Sequence, residues 1–471
     1  MQLYKKIMCV FFILFLGYAC GNEHEDNPST RQMRAPFTLL KNVKLKKNPV
    51  ILKILGQISP TNLKATIDTL VSFETRHSLS DTTSDLRGIG AARRWIRQEF
   101  RKYKQQCGGR LQIDYDKWRV RDSRLGRPTF VNVVATLPSV TPTKIDRIVV
   151  ICAHYDSRAT DSMDSISAAP GANDDASGVA VVMELARIFS RYRFDATIIF
   201  AALAGEEHGL FGSTHLAEKA RQNNWDIQAV LSLDMVGNIV GGNGLVDSTR
   251  LRCFSEAGSF SEPSQKAGTP SSTKCGIDSP SRQVARYSKF VTSTYLDDLS
   301  IELVYQADRF GRGGDHLPFN KNGYPAVRFT EPNENYSQQH QNVRIEEGTQ
   351  FGDLPEFISV PYLHNVTRAV AAILGSMALS PAPPTEVHVQ RHKGYNTKLS
   401  WNSPSSSHNI GGFAIFIRKS TSPVWQKQVN VNNLLEYTLK NISIDDNLFA
   451  VAAFDGEGNV GLPTYAIYQS Q

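Results

Sequence analysis

The stretch Arg147-Ile-Val-Val-Ile-Cys-Ala-His154-Tyr-Asp156, followed by Gly171-Ala-Asn-Asp174-Asp175-Ala-Ser-Gly178, decides how this chain folds. Its apolar residues run without alternation up to His154, as in a strand buried on both faces, and polar residues begin where the strand stops. After the second segment Val181, Met183, Leu185, Ile188 and Phe189 recur at helical spacing, which predicts a helix over Ser177 to Phe189 with Ser177 as its N-cap. Two more strand-like runs come next, Ala196-Thr-Ile-Ile-Phe-Ala-Ala202 and Ala229-Val-Leu-Ser-Leu-Asp234. Such alternation predicts an α/β sheet covered on both sides by helices.

Ligand sites in these sheets lie beyond the carboxyl ends of the strands. There the chain places His154 and Asp156, then Asp174 and Asp175, then Gly205-Glu206-Glu207, then Asp234. Each piece alone has a bland reading: a surface His-x-Asp pair, a helix cap, a solvated Glu-Glu face. Together they concentrate buried negative charge on one rim, which is costly unless a cation neutralises it. A divalent ion bound by mixed nitrogen and oxygen donors meets that need, with zinc the best match.

The ordered set His154-Tyr-Asp156-Ser, Gly-Ala-Asn-Asp174-Asp175-Ala-Ser-Gly, Gly-Glu206-Glu207-x-Gly-Leu-x-Gly-Ser, Leu-Asp234-Met and a late histidine resembles the M28 family of zinc peptidases, mostly aminopeptidases. The resemblance spans roughly Leu63 to Leu379. It implies a mixed, mostly parallel sheet sandwiched by helices and a site for two zinc ions. His154 and Asp234 would bind separate ions, Asp174 would bridge both, and Glu207 with a C-terminal histidine would complete the shells. Glu206 would be the general base, and Asp156 would orient the His154 imidazole. The Asp174–Asp175 peptide would be cis.

For the last ligand His340 is expected, because it comes after the strand Ala326-Val-Arg-Phe-Thr330, as the family's ligand does. Asp175, Asp315 and His316 are then candidates for supporting the ligands or touching substrate, and His208 and His215 are non-ligands. The mechanism implied is hydrolysis of N-terminal residues from peptides: zinc acidifies a shared water, Glu206 takes its proton, and Glu206 returns a proton to the leaving amine. Asp315-His316-Leu-Pro-Phe319 also resembles glutaminyl cyclases of the same fold, which form pyroglutamate; a binding protein that has lost catalysis is the third alternative.

On the N-terminal side, Ile58 to Gln106 has helical periodicity and should pack on the sheet, with Thr75-Arg76-His77 as a structural lead-in. Gly241 to Ser279, rich in Gly and Ser, reads as a long insertion, either a cap over the pocket or a surface loop. After Ser380-Pro-Ala-Pro-Pro384, short alternating strands around Trp401, Gly412 to Arg418, Tyr437 to Leu439 and Leu448 to Phe454 predict an all-β, immunoglobulin-like sandwich that resembles a fibronectin type III domain. It has no catalytic constellation, and contact with a protein or carbohydrate, or simple spacing, is its expected role.

At the start of the chain, Lys5 and Lys6, the apolar run Ile7 to Leu16 and Gly17-Tyr-Ala19 have the order of a secretory signal. Cys20 resembles the lipid-attachment cysteine of bacterial lipoproteins, with Gly17 where Leu usually stands. The expected organisation is a signal over 1–19, a lipidated N-terminus and linker over 20–35, the peptidase over 36–379 and the sandwich over 380–471. The cell envelope, outer membrane or periplasm, is the expected location, with secretion the alternative, and the lipid is the sole expected membrane contact. Cys253 and Cys275 bracket a Ser-, Gly- and Pro-rich segment and are expected to close it by a disulfide, whereas Cys152 reads as a buried hydrophobe. Fifty-two Lys and Arg against 45 Asp and Glu give +7, but no basic block concentrates that charge as a nucleic-acid surface would require.

Overall fold

The computed structural model describes residues 41–141, 146–257, 278–390, 394–404 and 409–468. The signal segment, Cys20 and Cys275 lie outside the described residues, and with Cys275 so does the expected disulfide; Cys253 is buried. In chain order come β1 (Lys41–Asn42), α1 (Pro49–Leu55), α2 (Pro60–Val71), α3 (Gly88–Gln106), β2 (Gln112–Arg119), β3 (Thr129–Leu137), β4 (Arg147–His154), α4 (Ala176–Phe189), β5 (Thr197–Leu203), α5 (Phe211–Gln222), β6 (Asp226–Leu233) and β7 (Arg250–Ser255). Next are α6 (Pro280–Tyr295), β8 (Ser300–Val304), α7 (His316–Lys321), β9 (Ala326–Thr330), the hairpin β10 (Arg344–Glu346) and β11 (Thr349–Phe351), and α8 (Val360–Leu379). The remaining strands are β12 (Thr385–Gln390), β13 (Thr397–Asn402), β14 (Ile410–Lys419), β15 (Lys427–Val431), β16 (Glu436–Leu439), β17 (Asn447–Asp455), β18 (Thr464–Tyr465) and β19 (Ile467–Tyr468).

Local chemistry sets several helix starts. Asn48-Pro49, Ser59-Pro60 and Ser279-Pro280 each pair a side-chain N-cap with a proline whose missing N–H costs nothing in the first turn. The expected Ser177 cap is corrected: α4 starts at Ala176, and Asp175 caps it by accepting the Gly178 N–H at 3.0 Å. A carboxylate one residue before the first turn reaches the free N–H groups better than a hydroxyl already inside the helix.

Eight strands form one mixed sheet in the order β2-β3-β5-β4-β6-β9-β7-β8. The central β5-β4-β6-β9 pairs are parallel, β3 runs antiparallel to both β2 and β5, and β7 is antiparallel to β9 but parallel to β8. Strand β4 explains the two layers. Val149, Ile151 and Ala153 face a core shared with α1, α2, α3, α4, α6 and α8, while Ile148, Val150 and Cys152 face a smaller core with α5 and α7. Each fully buried aliphatic side chain contributes about 1.5–3 kcal/mol. The segment read as a long insertion contains β7, whose pairing with both β8 and β9 overrides its weak local pattern. Among the described residues no helix is long and apolar enough to cross a membrane.

The C-terminal strands make an all-β sandwich of a four-stranded sheet, β16-β13-β12-β19, and a five-stranded one, β1-β15-β14-β17-β18. Val389, Leu399 and Trp401 from the first meet Phe413, Ile415 and Val451 from the second in one core. Strand β1 is contributed by the N-terminal segment and pairs with β15, so that segment belongs to the sandwich as well as to the part built on the eight-stranded sheet. Asp278 ties the two parts together, pairing with Arg286 of α6 at 2.5 Å and Arg418 of β14 at 2.9 Å.

Candidate metal centre

His154 is the last residue of β4, and three polar clamps hold the loop beyond it. Arg76, fully buried, donates to the carbonyl oxygens of Tyr155 at 2.7 Å and Gly171 at 2.8 Å. The Asp353 carboxylate accepts the N–H of Asn173 at 2.9 Å and of Asp174 at 2.7 Å. Asp175 accepts the N–H of His154 and of Met235, each at 3.2 Å, besides capping α4. The Asp174–Asp175 peptide is cis. Gly171 has φ +53°, and a Cβ there would lie 2.6 Å from the Asp174 carbonyl oxygen, so only glycine fits.

These clamps bring the expected residues into two donor groups, His154 with Glu206 and Asp234, and Asp174 with Glu207 and His340. His154 Nε2 lies 3.2 Å from Asp174 Oδ1 and 3.9 Å from Asp234 Oδ1. His340 Nε2 lies 3.0 Å from both Asp174 Oδ2 and Glu207 Oε2. The expectation that His154 and Asp234 serve separate ions is corrected: they share one group, because the parallel neighbours β4 and β6 end side by side.

The expected role of Asp156 changes, and those of Asp175 and His316 narrow to support. The carboxylate of Asp156 is occupied by the N–H groups of Gly205 at 2.8 Å and of Glu206 and Glu207 at 3.2 Å. His154 Nδ1 meets the Asp156 carbonyl oxygen at 3.1 Å instead, with the carboxylate at 3.7 Å, so Asp156 anchors the Glu206-Glu207 turn more than the imidazole. Asp175 is buried and committed to backbone N–H groups, which removes it as a substrate contact. His316 is buried too, its Nε2 2.6 Å from the Ala307 carbonyl oxygen. Asp315 is buried beside the cluster, and burial lifts its carboxyl to about 7. His208 contacts His77 and the Ser162 carbonyl, and His215 stacks on Trp118, so both stand apart from the donor groups.

The sequence pattern did not single out Asp353 or Arg328. Arg328, on β9, pairs with Asp234 Oδ2 at 3.0 Å. Neither is legible in advance, since a carboxylate in a loop and an arginine in an apolar strand acquire a role only through who lies opposite.

Electrostatics supports a cation here. Burial opposes charge on His154, but Asp156, Asp174 and Asp234 outweigh it and hold the imidazole well above its ordinary range. His340 is likewise lifted to about 10, against burial, by Glu207 and Asp174. Burial, together with Asp234 and Glu207, pushes Glu206 well above the usual carboxylate range. The histidines act as stand-in cations for a surplus of buried carboxylates. His154 Nε2 and Glu207 Oε1 are buried without a hydrogen-bond partner, and imidazole nitrogen with carboxylate oxygen is a zinc donor set. The residues present fit zinc.

The mixed α/β sheet thus carries a cluster of metal-donor composition at its strand ends, and comparison with known proteins gives the family. The model of peptidase family M28 matches residues 132–263. Proteins described as "Probable zinc metalloprotease" from Leptosphaeria maculans and Pyricularia oryzae are each 40% identical, over 84% of this chain and 92% and 80% of their own lengths. Another from Pyrenophora teres f. teres is 34% identical over 94% of this chain and 91% of its own length. The chain belongs to peptidase family M28 and is a zinc metalloprotease. In fold it is like two Legionella pneumophila proteins, LapB (TM-score 0.52, 19% identity, 70% of this chain and 76% of that one) and LapA aminopeptidase (TM-score 0.50, 20% identity, 71% and 76%).

Proposed function

We propose that this chain is an aminopeptidase working with two zinc ions, one in each donor group. The observation that supports it most is the division of Asp174: Oδ1 faces His154 and Oδ2 faces His340, the disposition of a bridging carboxylate. Zinc bound there would polarise the scissile carbonyl and acidify water. Glu206 is half-buried at the rim and biased toward holding a proton, which suits a group that takes one from the attacking water and delivers it to the leaving amine. The chain's partners are peptides, and the signal-like N-terminus supports action outside the cytoplasm. The three relatives above are fungal, so they add nothing to the bacterial lipid-attachment reading of Cys20.

The test is mass spectrometry of a mixed peptide set, some beginning with Gln, after incubation with zinc-loaded protein and with Glu206→Gln. Stepwise loss of N-terminal residues in the first and none in the second supports the aminopeptidase. Internal cleavage, loss of ammonia alone, or full activity of the variant each overturns a part of it.

A further inference from the structure

Arg328 stands out among the groups that the proposed reaction leaves without a task. It lies on the central strand β9, its side chain is fully buried, and it has a carboxylate on either side: Asp234 Oδ2 at 3.0 Å and Asp308 Oδ1 at 3.1 Å. Its Nη1 also donates to the Gly313 carbonyl oxygen at 3.2 Å. A strand buried on both faces is a costly place for a guanidinium, and an apolar residue of similar volume is often as good or better for stability. The partner it reaches is one of the candidate metal ligands, and its closest contact is with the Oδ2 oxygen of that carboxylate. The other, Oδ1, faces His154.

We infer that Arg328 is a positioning residue which reserves Oδ2 of Asp234, so that Asp234 offers zinc one oxygen and leaves the rest of the coordination sphere open to water and substrate. This rests on the reading of His154 and Asp234 as ligands and specifies how one of them is used. It has two physical consequences. First, without metal the guanidinium neutralises Asp234 and keeps the site open, so it stabilises the metal-free protein more than the loaded one. Second, a fixed positive charge beside a ligand opposes the binding of a second cation, so Arg328 weakens zinc binding in exchange for an open site. Asp308 on the far side shares the guanidinium's charge.

The experiment uses the full chain with Arg328→Met and, as control, Asp308→Asn, which removes the other partner but leaves the Asp234 contact. Zinc affinity is measured by competition with a chromogenic chelator, alongside thermal unfolding with and without zinc and the visible spectrum of the cobalt-substituted protein. With that repulsion removed, Arg328→Met is expected to bind the ion of the His154/Asp234 group about tenfold more tightly. It should lose more melting temperature without metal than with it, change the cobalt spectrum as the carboxylate swings to two-oxygen binding, and lower kcat with little change in KM. Asp308→Asn, which keeps the guanidinium and its Asp234 contact, should bind zinc no more tightly than the parent and leave the cobalt spectrum unchanged. Equal loss of melting temperature in both forms with unchanged affinity and spectrum, or weaker zinc binding by Arg328→Met, overturns the inference. If the parent binds no zinc, or if His154→Ala leaves its zinc content unchanged, the ligand assignment has failed, a result distinct from failure of the Arg328 role.

Discussion

His340 Nε2 stands 3.0 Å from Glu207 Oε2, joining the loop after β9 to the turn after β5. No local pattern in either segment announces the other. Replacing His340 by Ala should remove the ion shared by Asp174, Glu207 and His340 and leave the other in place. Metal analysis after dialysis would read as a halving of zinc per chain. His316→Ala, at a buried site outside both groups, should keep the full complement.

Asp353 holds two consecutive backbone N–H groups in front of the bridging candidate Asp174. Asp353→Ala leaves both without their acceptor in a buried place, at about 1–3 kcal/mol each. Zinc affinity and stability should fall together, measured by zinc titration and by denaturant unfolding. Asp353→Asn, which retains one acceptor oxygen, should recover part of both.

Burial lifts the Asp315 carboxyl from the ordinary 3.8 to about 7, which fixes the sign of a pH effect in the metal-free protein. Below the ordinary value both folded and unfolded states hold the proton, and its contribution to stability is fully present. Rising pH ionises the unfolded state first, so stability falls across the interval up to about 7, beyond which the loss is complete. Asp315→Asn abolishes that titration. Its melting temperature should fall less than the parent's across the same interval, by an amount corresponding to about 4 kcal/mol. Parallel melting curves at every pH would show that Asp315 does not titrate there.

Asp278 is the acceptor shared by Arg286 of α6 and Arg418 of the sandwich. Both arginine side chains are almost fully buried, so Asp278→Ala should destabilise the chain by about 3 kcal/mol. Zinc content should not change, because no donor residue touches this pair. Calorimetry and metal analysis on the same preparation test both halves.

The central strands, α4 and the acidic residues at the strand ends were legible in the sequence because periodicity and end placement are local properties. Less was legible at the edges. Strand β7 hid in a polar segment, and the β2–β3 hairpin was not anticipated, since both depend on neighbours supplied by the sheet. The roles of Asp156 and Asp175 shifted for a related reason. A carboxylate next to several free N–H groups is saturated by them, and which N–H groups come near is a matter of how loops cross.

Residue order alone settles the α/β class, the residue types of the metal centre and their succession along the chain, because strand burial and donor chemistry are written residue by residue. Folding in three dimensions adds the grouping of His154 with Asp234 and of Glu207 with His340, the division of Asp174 between them, and the presence of Arg328 behind Asp234. Those relationships span strands distant in sequence, and their distances are fixed by sheet order and register, which no local pattern encodes.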